Sequence, residues 1–182
     1  KSEVKINTRK DLFVYSYRVA GTVGLMMSRI LKVTDKESLK GAIDLGIAMQ
    51  LTNIARDVVE DKKRNRSYIS HDFNSIKETI EIADTFYKSS FPAIKAVPLG
   101  SRFSIMVARR VYRKIGDNIL KQKNLDNYNS AGKIYVSNIG KVIQTILSLY
   151  DLIRIYFVDY KVHLKKNEHL MINEDINLNE RI

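Results

Sequence analysis

Apolar residues recur every three or four positions along most of the chain, the spacing that places them on one face of an α-helix. This pattern predicts helices over about residues 10–31, 38 to beyond 61, 75–88, 99–121 and 138–164. Asp35 and Ser75 precede the second and third of these helices, and both side chains are suited to accept hydrogen bonds from free amides at a helix start. We therefore expect an all-α protein in which Asp35 and Ser75 are N-caps.

The segments between these helices are short and polar. Residues 68–74 and 124–137 are predicted loops. The chain has 182 residues, with only 8 glycines and 2 prolines, too few for a turn-rich all-β protein. We expect a single domain over residues 1–164, followed by a polar tail at 165–182 that frays.

The second predicted helix carries a stripe of amide and carboxylate side chains on an otherwise apolar sequence. Because successive residues advance about 100° around a helix, the stripe fits within an arc of about 80° and consists of Gln50, Asn53, Asp57 and Asp61. Polar groups are costly in a buried helix unless a ligand or partner meets them, so the stripe predicts a ligand site. Two carboxylates one turn apart can hold Mg²⁺ that also binds phosphate oxygens.

The same spacing has an ordinary alternative. Asp57 and Asp61 can belong to a solvated acidic face, on which Glu60 pairs with Arg64 one turn further on. The four-residue spacing of the two aspartates, taken alone, favours that alternative. The apolar residues on the other sides of the helix favour a ligand site. Both interpretations remain open on these residues alone.

Two glycines, Gly21 and Gly24, lie inside the first predicted helix, where each costs about 1 kcal/mol relative to alanine. Such positions favour the close approach of another helix or of a ligand. Tyr15, Val19 and Val23 lie on one face beside Gly24, and that face forms an apolar wall with a phenol at one end.

The charge of the chain narrows the range of partners. Its 31 basic and 20 acidic residues give a formal net charge of +11, which indicates an anionic partner such as nucleic acid, acidic lipid or a diphosphate. The absence of cysteine excludes a disulfide scaffold, a cysteine-ligated zinc site and a thiol nucleophile. The three histidines, His71, His163 and His169, are scattered and do not have the spacing of metal ligands, so we expect no histidine-rich zinc site.

Several segments carry a more specific signal. Residues 15–27 read YSYRVAGTVGLMM, residues 46–61 read GIAMQLTNIARDVVED, and further blocks follow in order at 66–69, 98–102, 108–116 and 132–141. Together they resemble the squalene/phytoene synthase family, most closely its bacterial phytoene synthases, over about residues 10–145. The resemblance implies an all-helical isoprenoid-synthase fold and Mg²⁺-dependent head-to-head condensation of two prenyl diphosphates, with Mn²⁺ as an alternative metal.

The resemblance also implies roles for individual residues. Asp57 and Asp61 match the family's second aspartate-rich motif, which holds Mg²⁺ on a substrate diphosphate, and Tyr15 matches its catalytic tyrosine. The remaining matches are pocket-wall positions, polar groups beside the metal and groups near the diphosphates: Val19, Ala20, Val23, Gly24, Gln50, Asn53, Tyr112, Lys133 and Lys141. Lys133 stands where arginine is common, which keeps the charge but loses the two-pronged phosphate geometry.

The family's first aspartate-rich motif has no counterpart here. We therefore expect the chain to be the C-terminal part of an isoprenoid-synthase domain that is incomplete at its N-terminus and inactive alone. The implied product of the complete enzyme is phytoene, made from two geranylgeranyl diphosphates through a cyclopropyl diphosphate. Two alternatives remain: a squalene or dehydrosqualene synthase that uses C15 diphosphates, and a non-catalytic basic helical binding module.

Where the protein acts follows from its charge and the implied lipid product. We expect a cytoplasmic protein that associates peripherally with acidic membranes through the basic run at residues 161–166. The dispersed basic clusters contain no recognised nucleic-acid-binding motif, so no nucleic-acid partner is expected.

Overall fold

The structure, a computed structural model, describes residues 4–159 and 163–182. In this part of the chain the α-helices are α1 (Arg9–Ser16), α2 (Thr22–Ile30), α3 (Lys36–Arg56), α4 (Val58–Lys63), α5 (Phe73–Ser90), α6 (Leu99–Leu120), α7 (Leu125–Ser130), α8 (Asn138–Arg154) and α9 (Lys166–Asn173). Short 3₁₀ turns lie at Pro92–Ala96, Ile155–Phe157 and Leu178–Glu180. The all-α prediction is confirmed.

Two very short strands accompany the helices. β1 (Val4–Lys5) pairs in parallel with β2 (Arg66–Ser67), with Val4 opposite Arg66 and Lys5 opposite Ser67. This pairing holds the first described residues against the segment that follows α4.

The first predicted helix is confirmed as one continuous helical stretch, with a π-helical turn at Tyr17–Gly21 between α1 and α2. A π-helical turn contains one extra residue, so it rotates the residues that follow it around the helix axis. Gly21 is buried within this turn. The turn therefore sets which face of α2 meets α3.

α3 is the centre of the fold, because it packs against α2, α5 and α6. Its apolar side chains include Leu39, Ile43, Ile47 and Leu51, all fully buried. A helix that is apolar on most sides requires this central position, since each side must be covered by a neighbour.

Capping residues explain where several helices begin. Asp35 caps α3 as predicted, because its carboxylate accepts a hydrogen bond of 2.8 Å from the Ser38 amide. The prediction that Ser75 caps the third helix is wrong. Asp72 is the cap and accepts from the Ser75 amide at 2.8 Å, so α5 begins at Phe73, inside the predicted loop.

The predicted second helix does not continue unbroken past Asp61. It ends at Arg56, and α4 starts after Asp57, whose backbone angles (φ −105°, ψ 16°) are not helical. The Tyr128 hydroxyl lies 2.9 Å from the Ala55 carbonyl oxygen and 2.8 Å from that of Arg56. It therefore donates a hydrogen bond to the carbonyl groups at the end of α3, which have no partner within the helix. Tyr128 belongs to α7, a short helix inside the segment that was predicted to be a loop.

The predicted last helix is also too long. α8 ends at Arg154, and the buried Ile155 turns inward to pack with Phe91, Ile94 and Met106. The rest of the predicted helix does not continue α8: His163 and Leu164 are not helical, and residues 160–162 lie outside the described residues.

The C-terminal tail is folded, contrary to the prediction that it frays. α9 packs against α1, where Ile172 is fully buried and Leu178 joins the same core cluster. Lys10 of α1 forms ion pairs with Glu174 at 2.9 Å and Asp175 at 2.8 Å. The prediction failed because it used the mainly polar composition of the tail as a whole. Three apolar residues of the tail, Ile172, Ile176 and Leu178, nevertheless pack into the core.

One large apolar face is left uncovered in the described residues. Along α8 and the turn after it, the exposed side chains are Ile139, Val142, Ile143, Ile146, Leu147, Leu149, Tyr150, Ile153, Tyr156 and Phe157. Despite this apolar surface, none of the described helices combines the length and hydrophobicity that a membrane crossing requires.

Candidate active site

Two neighbouring cavities border α3, and most of the predicted site residues line one or the other. The apolar cavity has a volume of about 350 Å³ and lies between α2, α3 and α6. The polar cavity has a volume of about 460 Å³ and lies beside α4, β2 and the segment after it. Asn53 lines the apolar cavity and the next residue, Ile54, lines the polar one, so α3 forms a shared wall.

The apolar cavity collects six of the predicted site residues, which are Ala20, Val23, Gly24, Gln50, Asn53 and Tyr112. Most of the other lining side chains are apolar or small, including Leu45, Met49, Ile105 and Ala108. Such a lining suits a hydrocarbon chain and excludes water from it.

Asn53 and Ser38 both line this cavity and have a buried side-chain oxygen without a hydrogen-bond partner in the described part of the chain, and Asn53 is the one that belongs to the predicted polar stripe. Its Oδ1 atom is buried, and no hydrogen-bond partner reaches it within the described residues. A buried amide oxygen without a donor costs about 1–3 kcal/mol. A ligand or a metal-bound water that donated to Asn53 would remove that cost.

The polar cavity contains Asp61 together with basic and aromatic side chains. Its lining includes Lys5, Lys62, Arg66, Tyr68 and His71. Three of these side chains carry positive charge, so the cavity combines one carboxylate with cations that would neutralise a diphosphate.

Tyr15 contacts Tyr68, which lines the polar cavity. The Tyr15 hydroxyl donates a 3.0 Å hydrogen bond to the Tyr68 hydroxyl, and the two rings stack with centroids 4.7 Å apart. Burial, followed by this hydrogen bond, raises the pKa of Tyr15 well above its ordinary value. Tyr15 therefore stays protonated at neutral pH and is a hydrogen-bond donor held at a fixed orientation.

The two aspartates are in different electrostatic states. Burial, and then the nearby charge of Asp57, raise the pKa of Asp61 above its ordinary value. Among the described contacts, the Asp61 carboxylate accepts no hydrogen bond and forms no ion pair. A half-buried carboxylate without a partner is suited to bind a cation, because the cation removes the cost of its charge.

Asp57 already has partners. Arg56 donates to its two carboxylate oxygens at 2.9 and 2.7 Å, and Lys133 lies 3.4 Å away. Burial opposes the charge on Asp57, but the hydrogen bonds and charge of Arg56, aided by Lys133, outweigh it and lower the pKa. Asp57 is therefore ionised at neutral pH, and a metal ion there would have to replace the two cations.

The donor set of the aspartate pair fits Mg²⁺. Asp57 and Asp61 lie one helical turn apart, and the Asp61 amide donates to the Asp57 carbonyl at 2.8 Å. Mg²⁺ prefers hard oxygen ligands and takes only one or two carboxylates, with water and phosphate oxygens filling the other positions. The two carboxylates can supply those ligands once Asp57 leaves its ion pairs.

The remaining predicted site residues lie further from these groups. Val19 is exposed and does not line the apolar cavity. Lys141 is exposed in the first turn of α8, and within the described contacts no hydrogen bond or ion pair joins it to either aspartate. Lys133 does reach the site and bridges Asp57 to Glu60, which lies 3.1 Å from its Nζ atom.

Sequence reasoning missed three contributors to the site. Tyr68 holds Tyr15, Lys5 reaches the polar cavity through the pairing of β1 with β2, and Tyr128 stabilises the helix break at Asp57. Tyr68 lay in a block that carried the family resemblance, so that block gave a usable signal. Lys5 and Tyr128 lie far from the aspartates in sequence and gave none.

The site thus belongs to a helical protein in which a carboxylate pair and basic groups lie beside an apolar cavity. Residues 2–75 match the sequence profile of the squalene/phytoene synthase family. The chain is 36% identical over 140 residues to the 15-cis-phytoene synthase of Enterobacter agglomerans, covering 65% of this chain and 48% of that protein. These matches show that the chain is similar in sequence to members of the squalene/phytoene synthase family.

Other relatives show the same similarity. A 15-cis-phytoene synthase of Paracoccus sp. is 37% identical over 132 residues, covering 63% of this chain and 43% of the relative. Phytoene synthase 2 of Solanum lycopersicum is 31% identical over 167 residues, covering 76% and 53%. The chain thus spans about half the length of the curated relatives it matches.

Proposed function

We propose that this chain provides the diphosphate-ionising half of a phytoene synthase-like prenyltransferase. The observation that carries the proposal is the shared wall of α3, which places an apolar cavity next to a polar cavity containing Asp61. A prenyl diphosphate has the same division, with a long hydrocarbon chain joined to a highly charged head. The phytoene synthase names of the relatives support this substrate class.

In the proposed reaction, one geranylgeranyl diphosphate loses its diphosphate and becomes an allylic cation. A double bond of the second substrate attacks that cation, and loss of a proton closes a cyclopropyl diphosphate. A second ionisation, rearrangement and proton loss then give phytoene. The apolar cavity excludes water, which would otherwise capture each cation as an alcohol.

Asp57 and Asp61 would hold Mg²⁺, which when bound supplies positive charge to the departing diphosphate. The chain's own cations supply the rest, because Lys5, Lys62 and Arg66 line the cavity that contains Asp61. Arg56 and Lys133 neutralise Asp57 in the structure. With Asp57 holding the metal, Arg56 and Lys133 would be available to bind the diphosphate oxygens.

Tyr15 would act as a fixed hydrogen-bond donor rather than as a base. Its raised pKa keeps the hydroxyl protonated, and Tyr68 fixes its orientation. In this role the Tyr15 hydroxyl donates to a diphosphate oxygen as negative charge develops on that oxygen. The hydrogen bond between the two tyrosines then reverses, so that the Tyr68 hydroxyl donates to the Tyr15 oxygen.

The test is product formation by the full-length protein with Mg²⁺ and either C20 or C15 diphosphate. We expect phytoene from the C20 substrate, and we expect Asp57→Asn and Asp61→Asn each to lower turnover about a hundredfold or more. Glu81→Gln is the control, since Glu81 is exposed on α5 and lies outside both cavities. Circular dichroism should show an unchanged helical fold in all three variants.

The outcomes separate the alternatives. Turnover near that of the unmodified protein in either aspartate variant would contradict the metal role of the pair. Efficient condensation of the C15 substrate, with little use of the C20 substrate, would instead indicate a squalene or dehydrosqualene synthase. Absence of Mg²⁺-dependent diphosphate binding, with steeply salt-dependent DNA binding, would favour the non-catalytic basic module.

A further inference from the structure

A buried cluster of metal-ligating side chains lies away from the aspartate pair. It consists of Asp44 from α3 and two histidines from the C-terminal segment, His163 and His169. The Nε2 atom of His163 lies 2.7 Å from one carboxylate oxygen of Asp44, and Nε2 of His169 lies 2.7 Å from the other. All three residues are buried, and Asp44 is fully so.

The buried charge of Asp44 has to be compensated inside this cluster. The carboxylate is bounded by the two imidazoles and by the Ser89 hydroxyl, which donates to it at 2.6 Å. Of the nearby lysines, Lys40 pairs with Glu37 at 2.6 Å and Lys165 with Glu168 at 2.6 Å, whereas Lys166 lines the cavity beside the cluster. A fully buried carboxylate is costly unless hydrogen-bond donors or a positive charge lie beside it.

The positive charge can be a proton on an imidazole or a metal ion, and the composition of the cluster suits a metal. Two imidazole nitrogens and one carboxylate oxygen are a ligand set typical of Zn²⁺ sites. One ligand atom from each residue lies within 4.8 Å of the other two. A tetrahedral zinc ion with bonds of about 2.0–2.1 Å sets its ligand atoms about 3.3 Å apart, so the present 2.7 Å distances would have to widen by about 0.6 Å.

Access to the cluster is available from one side. A cavity of about 260 Å³ is lined by both histidines and by residues of α9 and the last turn, including Leu170, Asn173 and Leu178. This cavity gives an ion a route to the imidazoles and leaves room for a water molecule as fourth ligand. The Nδ1 atom of His169 is buried without a hydrogen-bond partner among the described residues, so no hydrogen bond at Nδ1 restrains the ring when Nε2 binds an ion.

We propose that Asp44, His163 and His169 bind a Zn²⁺ ion. The ion replaces the protons now shared between the imidazoles and the carboxylate, and it joins the C-terminal segment to the central helix α3. The Ser89 hydroxyl, which is bonded to the carboxylate, orients the Asp44 ligand. This site differs in chemistry from the Asp57 and Asp61 pair, whose ligands are all oxygen atoms.

The first experiment measures zinc in the full-length protein after chelator treatment and titration with Zn²⁺ in the presence of excess Mg²⁺. We expect one Zn²⁺ per chain, bound tightly enough that Mg²⁺ does not displace it. His163→Asn and His169→Asn should each abolish this stoichiometric binding. The matched control is His71→Asn, because His71 is the third histidine and lies outside the cluster, hydrogen-bonded to Asn129 at 3.0 Å.

A second set of variants separates zinc binding from folding and from the proposed catalysis. Ser89→Ala should weaken Zn²⁺ binding about 10–100-fold while retaining the fold. The double variant Asp57→Asn and Asp61→Asn should bind Zn²⁺ as the unmodified protein does, whether or not it retains activity. Zn²⁺ should also raise the melting temperature of the unmodified protein and leave that of His169→Asn unchanged.

The proposal would be overturned if the unmodified protein took up no more Zn²⁺ than His169→Asn. It would also be overturned if His71→Asn lost the ion, or if the cluster variants altered only the pH dependence of stability while zinc had no effect. The last result would show that a proton supplies the positive charge. The Zn²⁺ stoichiometry of the unmodified protein is measured directly. It therefore shows whether the chain binds zinc even if a variant does not fold.

Discussion

At the scale of single residues, the packing of α3 against α2 and against the π-helical turn before α2 depends on two glycines. A Cβ atom at Gly46 would lie 2.2 Å from the Ala20 carbonyl oxygen, and one at Gly24 would lie 2.2 Å from that of Ala42. Both distances are well below van der Waals contact, and the obstructing atoms are backbone. Of the two sequence-based explanations for a glycine inside the first helix, close helix packing therefore applies to Gly24, which also borders the apolar cavity.

These contacts predict that alanine destabilises the protein at Gly24 and Gly46 but not at Gly100. Gly24→Ala and Gly46→Ala should each lower the free energy of unfolding by about 1–3 kcal/mol, because α2 and α3 must separate. Gly100→Ala is the matched control, since a Cβ atom there would meet no neighbouring atom of the described residues within 4 Å and alanine favours a helix. Urea unfolding measures all three. Equal stability of Gly46→Ala and Gly100→Ala would show that the crossing tolerates a methyl group.

At the scale of helices, an ion pair links α5 to α6. Asp84 of α5 accepts from the Arg113 guanidinium of α6, and Lys88 lies 2.8 Å from its other oxygen. Burial opposes the charge on Asp84, but the hydrogen bonds from Arg113 and Lys88 outweigh burial and lower the pKa. A pKa that is lower in the folded state stabilises the fold above the ordinary carboxyl pKa, and this stabilisation is lost as the pH falls from that ordinary pKa to the lowered pKa of the folded state.

We therefore expect Asp84→Asn to lower the free energy of unfolding by about 0.2–1 kcal/mol at neutral pH. The difference from the unmodified protein should begin to shrink as the pH falls below about 4, where the carboxyl of the unfolded chain becomes protonated, and it should disappear at the lower pH where the folded carboxyl is protonated too. Urea unfolding at a series of pH values measures the difference. A difference that stayed constant down to acidic pH would contradict the ion-pair explanation.

The C-terminal helix provides a second prediction at this scale. Ile172 of α9 is fully buried, whereas Leu170 of the same helix is 62% exposed. Ile172→Ala should lower the free energy of unfolding by about 2–5 kcal/mol, because it leaves a cavity in the core. Leu170→Ala should change it by less than about 0.5 kcal/mol. If both variants were equally stable, α9 would not be part of the folded core.

At the scale of the whole molecule, an apolar face and a large positive charge occur together. α8 and the turn after it expose a long row of apolar side chains, ending in Phe157, which is 83% exposed. The sequence carries a formal net charge of +11. The proposed long-chain lipid product would also have to reach a membrane. We predict that the full-length protein associates peripherally with acidic membranes, with α8 at the surface.

Liposome flotation tests this prediction. Recovery with acidic vesicles should exceed recovery with neutral ones, and high salt should reduce it, since each cation near the surface adds about 1 kcal/mol. The double variant Ile146→Ser and Ile153→Ser should lower recovery, whereas Leu99→Ser should not, because Leu99 is equally exposed but lies at the start of α6. Equal recovery with neutral and acidic vesicles would defeat the prediction.

Local sequence determined the helices and several of their ends. Apolar spacing identified the helix at Leu99–Leu120 almost to the residue, and Asp35 was recognisable as a cap because it bonds an amide only three residues away. Where a distant residue intervened, local reasoning failed. The break at Asp57 depends on Tyr128, more than seventy residues further on, and apolar spacing carries no information about such a contact.

The amino-acid sequence alone therefore determined the helical class and the similarity to the squalene/phytoene synthase family, since these depend on apolar spacing and on matched blocks, and the metal role of the two aspartates stays a prediction. Tertiary structure decided which groups surround those aspartates. It paired Asp57 with Arg56 and Lys133 and left Asp61 without a partner among the described contacts. It also brought His163 and His169 to Asp44, more than a hundred residues away, because the tail folds back onto α1 and α3 to bury its few apolar side chains.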